Sequence, residues 1–270
     1  MRPGAFTVFR VLAAEAFRDS MRRRIVPAVV FVSLLSLLAV DSCTSCAGST
    51  DIVQNGEALA LNEVAGWSGM VIYTLLSLWT MLLAGLLGSD HLAETISDGS
   101  ANLVLARPVR RSEFALARLA GSLGVSYAMG ALILTGTAYL LHLRHGVSLG
   151  AAAWAGVACA AGALVVAALA MSLSLLLPRL ATVLTVLALV GAVVILNSLR
   201  LFGADLEGVG YVVQELAPPL CTSVVVALGA WIAPVELSED PLQLGLKLAA
   251  WVIASVGVLL AVFRRQELGS

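Results

Sequence analysis

Six separate stretches of this chain are apolar for close to the length a helix needs to cross a bilayer, and no other feature limits the fold as strongly. They are Ile25–Val40, Trp67–Gly88, Leu119–Leu141, Ala151–Leu177, Leu180–Leu196 and Leu246–Phe263. A crossing takes roughly 20 mainly apolar residues. In lipid the backbone N–H and C=O groups must be satisfied internally, which leaves helices or a closed barrel. Continuous runs of Leu, Ala and Val fit helices, since barrel strands alternate polar and apolar positions. The expected fold is an all-α membrane protein with transmembrane helices over 25–41, 67–88, 119–142, 151–177, 180–198 and 246–263, forming one domain over 1–270.

In a chain with 60% apolar and 12% charged residues, the positions of the charges carry the orientation. Six spans with both termini in the cytoplasm leave three of the 16 basic residues outside, namely Arg144, Arg200 and Lys247. The opposite orientation reverses that ratio and conflicts with the excess of Lys and Arg in cytoplasmic loops. Residues 1–24 do not read as a secretory signal, because no small-residue cleavage site precedes soluble sequence. Phe6, Phe9, Leu12, Ala13, Ala16 and Phe17 recur at helical spacing, whereas Arg10, Glu15, Arg18 and Asp19 fall mostly elsewhere. This pattern predicts an amphipathic helix along the inner leaflet, with Arg22, Arg23 and Arg24 at the lipid phosphates. The simpler alternative is a basic flank that only sets topology.

Leu220–Ala233 is too short for a full span and follows Pro218–Pro219. It is expected to be a re-entrant helical element buried against protein, or else a hydrophobic helix lying on the headgroups. Small residues in the fourth span, Ala152, Gly156, Ala160, Gly162 and Ala163, are expected to let helices approach closely.

The segment Ser89–Gly121 concentrates polar chemistry between the second and third spans. Ser89–Ser97 should continue the second span as a helix, with Asp90 and Glu94 on one face. Asp98-Gly99 should break it, and Pro108 should end the short piece that follows, since the residue before a proline resists the α region. Ser112 is expected to cap a new helix that runs into the third span. Two readings are open on these grounds: a rigid docking protrusion, or a solvated hairpin that only carries charge.

The order Glu94, Gly99-Ser100, Leu103, Leu105, Arg107-Pro108-Val109 and Arg111-Ser112-Glu113, followed by a helix into Gly121, resembles the ABC-2 type permeases. The layout of spans, the amphipathic start and the outer element before the last span are similar too, as in the type V exporters. The Arg-Pro-Val-x-Arg-Ser-Glu-Phe wording is particularly similar to the subgroup associated with copper-enzyme maturation. Ser100 replaces the usual Thr, Arg110 the usual Ser, and Arg118-Leu119 stands where Gly-Lys is common. The resemblance implies a coupling loop over 89–118 and a connecting helix over 1–24. It implies that Glu94, Asp98, Gly99, Leu103, Arg107, Pro108, Arg111, Glu113, Arg10 and Arg18 contact a separate ABC ATPase subunit. A second permease copy, a bacterial inner membrane and a pathway between the two permeases follow from the same resemblance. The one Lys, Lys247, is followed by Leu248, so no Gly-x4-Gly-Lys-Ser/Thr loop is present to cradle phosphates. ATP and Mg are therefore expected in the partner, with no cofactor held by this chain and no nucleic acid among its partners.

Other motifs leave alternatives open. Cys43 and Cys46, just outside the first span, allow a disulfide, packing or lipid attachment, or a soft-metal or redox role, although two thiolates alone are an incomplete zinc site. Cys159 and Cys221 read as buried packing residues. Gly66-Trp67-Ser68-Gly69 matches the GxSG pattern of intramembrane serine proteases, but no His lies in a suitable helix to act as base. His142, Arg144 and His145 read as interfacial anchors. Asn197, Ser172 and Ser174 either line a pathway or satisfy polar groups between helices. The expected function is the permease subunit of an ATP-driven exporter. A non-transporting scaffold that passes force to a periplasmic partner is the alternative, with the protease a remote third.

Overall fold

The computed structural model describes residues 5–22, 27, 31, 34–35, 38, 42, 53–54, 57–58, 61–97, 110–201, 206–231 and 240–265. Through them run the helices α1 (Ala5–Arg22), α2 (Leu61–Ser97), α3 (Arg111–His145), α4 (Leu149–Ser174), α5 (Arg179–Leu201), α6 (Val209–Leu216), α7 (Leu220–Ala227) and α8 (Pro241–Arg265). A 3-10 turn covers Gly229–Trp231. The extended pairing among the described residues is a two-residue antiparallel ladder of β1 (Val53–Gln54) with β2 (Glu57–Ala58). The architecture is otherwise helical.

Among the described residues, five helices are long and apolar enough to cross a membrane: α2 through its Gly66–Ser89 portion, α3, α4, α5 and α8. They coincide with five of the predicted spans. In the remaining one, over 25–41, Pro27, Phe31, Leu34, Leu35 and Leu38 are helical and exposed, and the other positions lie outside the described residues. The α2 and α3 helices have 37 and 35 residues. At about 1.5 Å per residue each exceeds 50 Å, well beyond a hydrocarbon core of roughly 30 Å. Each continues about two turns past its apolar part toward the other, so the segment between them is carried on helical extensions.

The start of α3 differs from the expectation. Arg110, extended at φ −71° and ψ 138°, precedes the helix, so Ser112 lies inside the first turn and does not cap it. The backbone N–H of Arg110 instead donates to Glu113 Oε2 at 3.4 Å. A Glu three residues into a helix reaches back to an N–H that has no intrahelical acceptor, and that bond sets the boundary here. At the other end Gly146 takes the left-handed conformation, φ 68°, and its N–H closes on His142 O at 2.9 Å. His142, Arg144 and His145 occupy the last turn, where the helix dipole favours cations.

Helix α4 is the centre of the bundle and packs against α2, α3, α7 and α8. Its alanines make this possible: Ala155, Ala163, Ala167, Ala168 and Ala170 are completely buried. A Cβ on Gly88 of α2 would lie 3.0 Å from Ala167 O, and one on Gly162 would lie 2.7 Å from Met81 Cε. Small side chains thus set the α2–α4 separation, as expected where packing rather than water drives helix association. Gly156 and Ala160 behave differently from the expectation. They border an open groove between α3 and α4 instead of a tight contact. There Tyr73 of α2 and Tyr127 of α3 reach the α4 backbone, their hydroxyls donating to Ala152 O and Ala160 O, each at 2.9 Å.

Between α5 and α8 the chain makes a bent pair, α6 and α7, at 61° to one another. Helix α6 is absent from the sequence expectation. Pro218 and Pro219 lie at the bend and supply no N–H to continue a helix. In α7, residues Leu220 to Val225 are all buried, so this element packs inside protein rather than on a surface. The bend is fastened by Asn197 of α5. Its Nδ2 donates to Val193 O at 2.7 Å and Pro218 O at 3.1 Å. Its Oδ1 accepts from Thr222 N at 3.4 Å and Thr222 Oγ1 at 2.6 Å. All four hydrogen-bonding positions of the amide are used, three of them across to Pro218 and Thr222. Ser172 and Ser174 bond to backbone carbonyls of their own helix, Ala168 O and Met171 O.

The 3-10 turn after α7 wedges Trp231 between α2 and α4. Its ring stands edge-on to Tyr73 at 5.6 Å, and its Nε1 donates to Ser148 O at 2.9 Å. Gly66 is required there, since a Cβ would come 2.2 Å from Trp231 O. Gly69 packs similarly against Leu141. Both glycines of the GxSG match therefore have a packing role. Helices α5 and α8 bury much less of their length than α2, α3 and α4. On α5, Leu180, Leu184 and Ile195 are exposed by 75%, 58% and 62%.

Candidate functional site

The amphipathic pattern of residues 6–17 becomes α1, and its apolar face is used on α3. Leu12, Ala16 and Ser20, spaced by four, are buried, with Val8, Phe9 and Ala13 partly covered beside them. Arg10, Glu15, Arg18, Asp19 and Arg22 are on the exposed side. Gly121 is the close-approach point: a Cβ there would be 2.4 Å from Ala16 Cβ and 2.8 Å from Ala13 O. The expectation of a helix lying on the leaflet by this face is corrected accordingly. What α1 leaves open is a smaller set, with Val11 61%, Phe17 36% and Met21 41% exposed.

Arg118 fixes the junction. Its side chain is 5% exposed, and Nη1 donates to Asp19 Oδ2 at 3.3 Å. The guanidinium also lies 5.5 Å from the centroid of the Phe114 ring. Phe114 in turn stacks on Phe263 of α8 at 6.2 Å. The Nε of Arg118 is buried and finds no hydrogen-bond partner among the described residues. An ionised group this deep costs several kcal/mol in lost hydration, and an opposite charge on the neighbouring element offsets that cost. One cluster therefore ties together α1, the first turns of α3 and the last turn of α8. The register Asp19–Arg118, Ala16–Gly121 and Phe17–Gly124 runs the two helices in opposite senses, with the C-terminal end of α1 toward the start of α3.

The residues expected to contact an ATPase divide into two groups. Arg111 and Glu113 occupy the first turn of α3, and Arg10 and Arg18 are exposed on α1. Glu94 lies on the helical extension of α2, with its side chain outside the description. Asp98, Gly99, Leu103, Arg107 and Pro108 lie outside the described residues, as do Cys43 and Cys46. Sequence reasoning missed Arg118 and Asp19 as a pair. The available signal was a single Arg opening an apolar run, which fixes neither its burial nor its partner.

At the opposite end of the bundle, Glu215 of α6 bridges two cations. Arg200 Nη1 lies 2.7 Å from Oε2, and Lys247 Nζ lies 3.6 Å from Oε1. These are two of the three basic residues placed outside by charge counting. Gln214 beside them accepts from Leu206 N at 3.2 Å and donates to Leu196 O at 3.4 Å. Trp251 Nε1 donates to Leu216 O at 3.0 Å, adding α8 to the same junction. Cys159 and Cys221 are free and buried, as expected. Among the described residues no three His, Cys, Asp or Glu side chains converge as a metal site would need. His142 Nδ1 is engaged with Val147 O at 2.8 Å. No protein-family model matches the chain, and no curated protein sequence matches it.

Proposed function

We propose that the chain is the membrane-spanning permease subunit of an ATP-driven exporter of the ABC-2 type. In this reading it pairs with a second permease copy and docks a separate ATPase that binds ATP and Mg. It has six spans in a bacterial inner membrane, both termini in the cytoplasm, and the bent pair α6–α7 as a re-entrant element before the last span. The observation that carries it is the locking of α1 onto the emerging end of α3 through Gly121 and the Arg118–Asp19 pair. A push on the segment between α2 and α3 then moves α1 and α3 together, as a coupling loop and connecting helix require. The helical extensions of α2 and α3 and the uncovered leucines of α5, available to a second copy, support the same reading.

The test is co-purification of the tagged full chain with the ATPase encoded beside it, followed by ATPase assay. Deleting Ser97–Pro108 is expected to abolish both assembly and stimulation of hydrolysis. Intact assembly and stimulation after the deletion defeat the docking assignment.

A further inference from the structure

We propose that the meeting point of α1, α3 and α8 binds the phosphate of an anionic phospholipid, at the membrane face where α3 begins and α8 ends. The inference goes beyond the export reading and is independent of it. Two side-chain contacts bring the three helix ends together. Phe114 stacks on Phe263, which sets the last turn of α8 against the start of α3. The Asp19–Arg118 pair sets the last turn of α1 against the same stretch of α3. Each end carries exposed arginine: Arg22 on α1, Arg110 ahead of α3, and Arg264 and Arg265 on α8. Arg110, Phe114 and Arg118 are spaced by four and so follow one face of α3. Arg22 follows Asp19 by nearly a turn of α1. Because α1 and α3 run in opposite senses, that turn carries it along the same face toward Phe114 and Arg110. The acidic residues described within these three terminal turns are Asp19 and Glu113. Both are engaged: Asp19 Oδ2 accepts from Arg118, and Glu113 Oε2 accepts from the Arg110 N–H. The buried Nε of Arg118 still lacks an acceptor among the described residues. Positive charge is therefore in excess at this junction.

Depth selects a lipid as the anion. Arg118 immediately precedes the apolar run Leu119–Leu141, and Arg264 immediately follows Leu246–Phe263. One span starts and the other ends here, so both place their arginines at the same edge of the hydrocarbon, the level of the lipid phosphates. Apolar surface continues inward from that edge. Phe17 rests against Gly124, six residues or about 9 Å further along α3 than Arg118, and is still 36% exposed. Guanidinium groups bind phosphate through paired N–H bonds, and arginines at a membrane surface are drawn to anionic headgroups. An acidic protein surface would match the arginines but would lie off the membrane, away from the Phe17 ring.

The full chain in detergent is titrated with phosphatidylglycerol and, separately, with phosphatidylcholine, and the lipid adducts are counted by native mass spectrometry. The first phosphatidylglycerol adduct is expected at roughly tenfold lower concentration than the first phosphatidylcholine adduct. Arg110→Gln with Arg264→Gln should weaken that adduct about fivefold per arginine and leave phosphatidylcholine unchanged. Arg264→Gln with Arg265→Gln, which leaves α3 untouched, should act in the same direction. Arg110→Lys with Arg264→Lys should keep most of the preference, and Arg10→Gln, at the far end of α1, all of it. The proposal is overturned if the parent shows no preference, or if both Gln pairs melt like the parent and retain it. Displacement of the lipid by an equal concentration of glycerol phosphate overturns it in favour of a soluble phosphate. Polyglutamate binding through the same arginines, without a lipid preference, overturns it in favour of an acidic protein. No ATPase is present in these measurements, so their failure and that of the export reading are separate outcomes.

Discussion

Arg118 of α3 and Asp19 of α1, separated by 99 positions, meet at 3.3 Å with the guanidinium almost completely buried and the carboxylate about half exposed. The asymmetry makes Arg118 the member that depends on the pair. Asp19→Asn leaves a desolvated cation short of its counter-charge, and removing one partner of a buried charged hydrogen bond costs about 1–3 kcal/mol. The half exposure of Asp19 puts the cost toward the lower end. Replacing both, with Arg118→Met and Asp19→Asn, removes the buried charge itself and is expected to recover much of the loss. Hydrogen exchange along α1 reads the effect: faster in the single variant, nearer the parent in the double.

Gly121→Val drives a branched side chain into Ala16 and the Ala13 carbonyl, where a Cβ alone already falls at 2.4 Å and 2.8 Å. Overpacking of this kind costs about 1–3 kcal/mol and is relieved by displacement of the less anchored element, which is α1. Trypsin cleavage at Arg18 or Arg22 is expected to accelerate markedly, with the melting of the rest of the bundle little changed.

Asn197→Ala removes the three hydrogen bonds that join α5 to the bend between α6 and α7, and a fourth to Val193 O within α5. Individual side-chain bonds between membrane helices average under ~1 kcal/mol, so a loss of about 1–3 kcal/mol is expected for the set. Thermal unfolding in detergent should fall by several degrees, about 2–4 °C per kcal/mol for a chain of this size class. Thr222→Val, which keeps the backbone bond to Oδ1, should lose less.

Glu215→Gln leaves Arg200 and Lys247 without the carboxylate that joins them. All three side chains are partly exposed, and pairs of this kind are worth under about 1 kcal/mol. The expected signature is salt dependence rather than magnitude. The gap in melting temperature between variant and parent should narrow as ionic strength rises.

Gly66→Ala and Gly257→Ala separate packing from propensity. The first places a methyl 2.2 Å from Trp231 O; around the second nothing lies within 4 Å. Alanine is better than glycine in a helix by about 1 kcal/mol, so Gly257→Ala should be neutral or stabilising. Gly66→Ala should lower the melting temperature and change the fluorescence of the Trp231 environment.

The positions of five apolar helices were legible because a span announces itself by the composition of one continuous segment. Close packing of α2 on α4 was legible for the same reason, in the small residues of the fourth span. The boundary at Arg110 was not, because Ser112 and Glu113 both carry capping chemistry and local sequence does not rank them. Nor was α6 legible: its eight residues are too few to show a period above the noise of an apolar chain. Gly156 and Ala160 misled in the opposite direction. What lies beside those positions is set by side chains of other helices, Tyr73 of α2 and Tyr127 of α3, which no pattern within the fourth span records.

Sequence by itself determined the helical class, five long apolar helices and the amphipathic face of residues 6–17, since each depends on apolar content or periodicity within a single segment. Tertiary structure alone decided what those faces meet. It placed α1 on α3 rather than against lipid by that face, buried Arg118 against Asp19, and let Asn197 fasten a proline bend instead of standing open between helices. The physical reason is common to all three. A charge or amide in an apolar setting is tolerable only with its partner in place, and that partner lies on another helix, at a distance along the chain that no local pattern records.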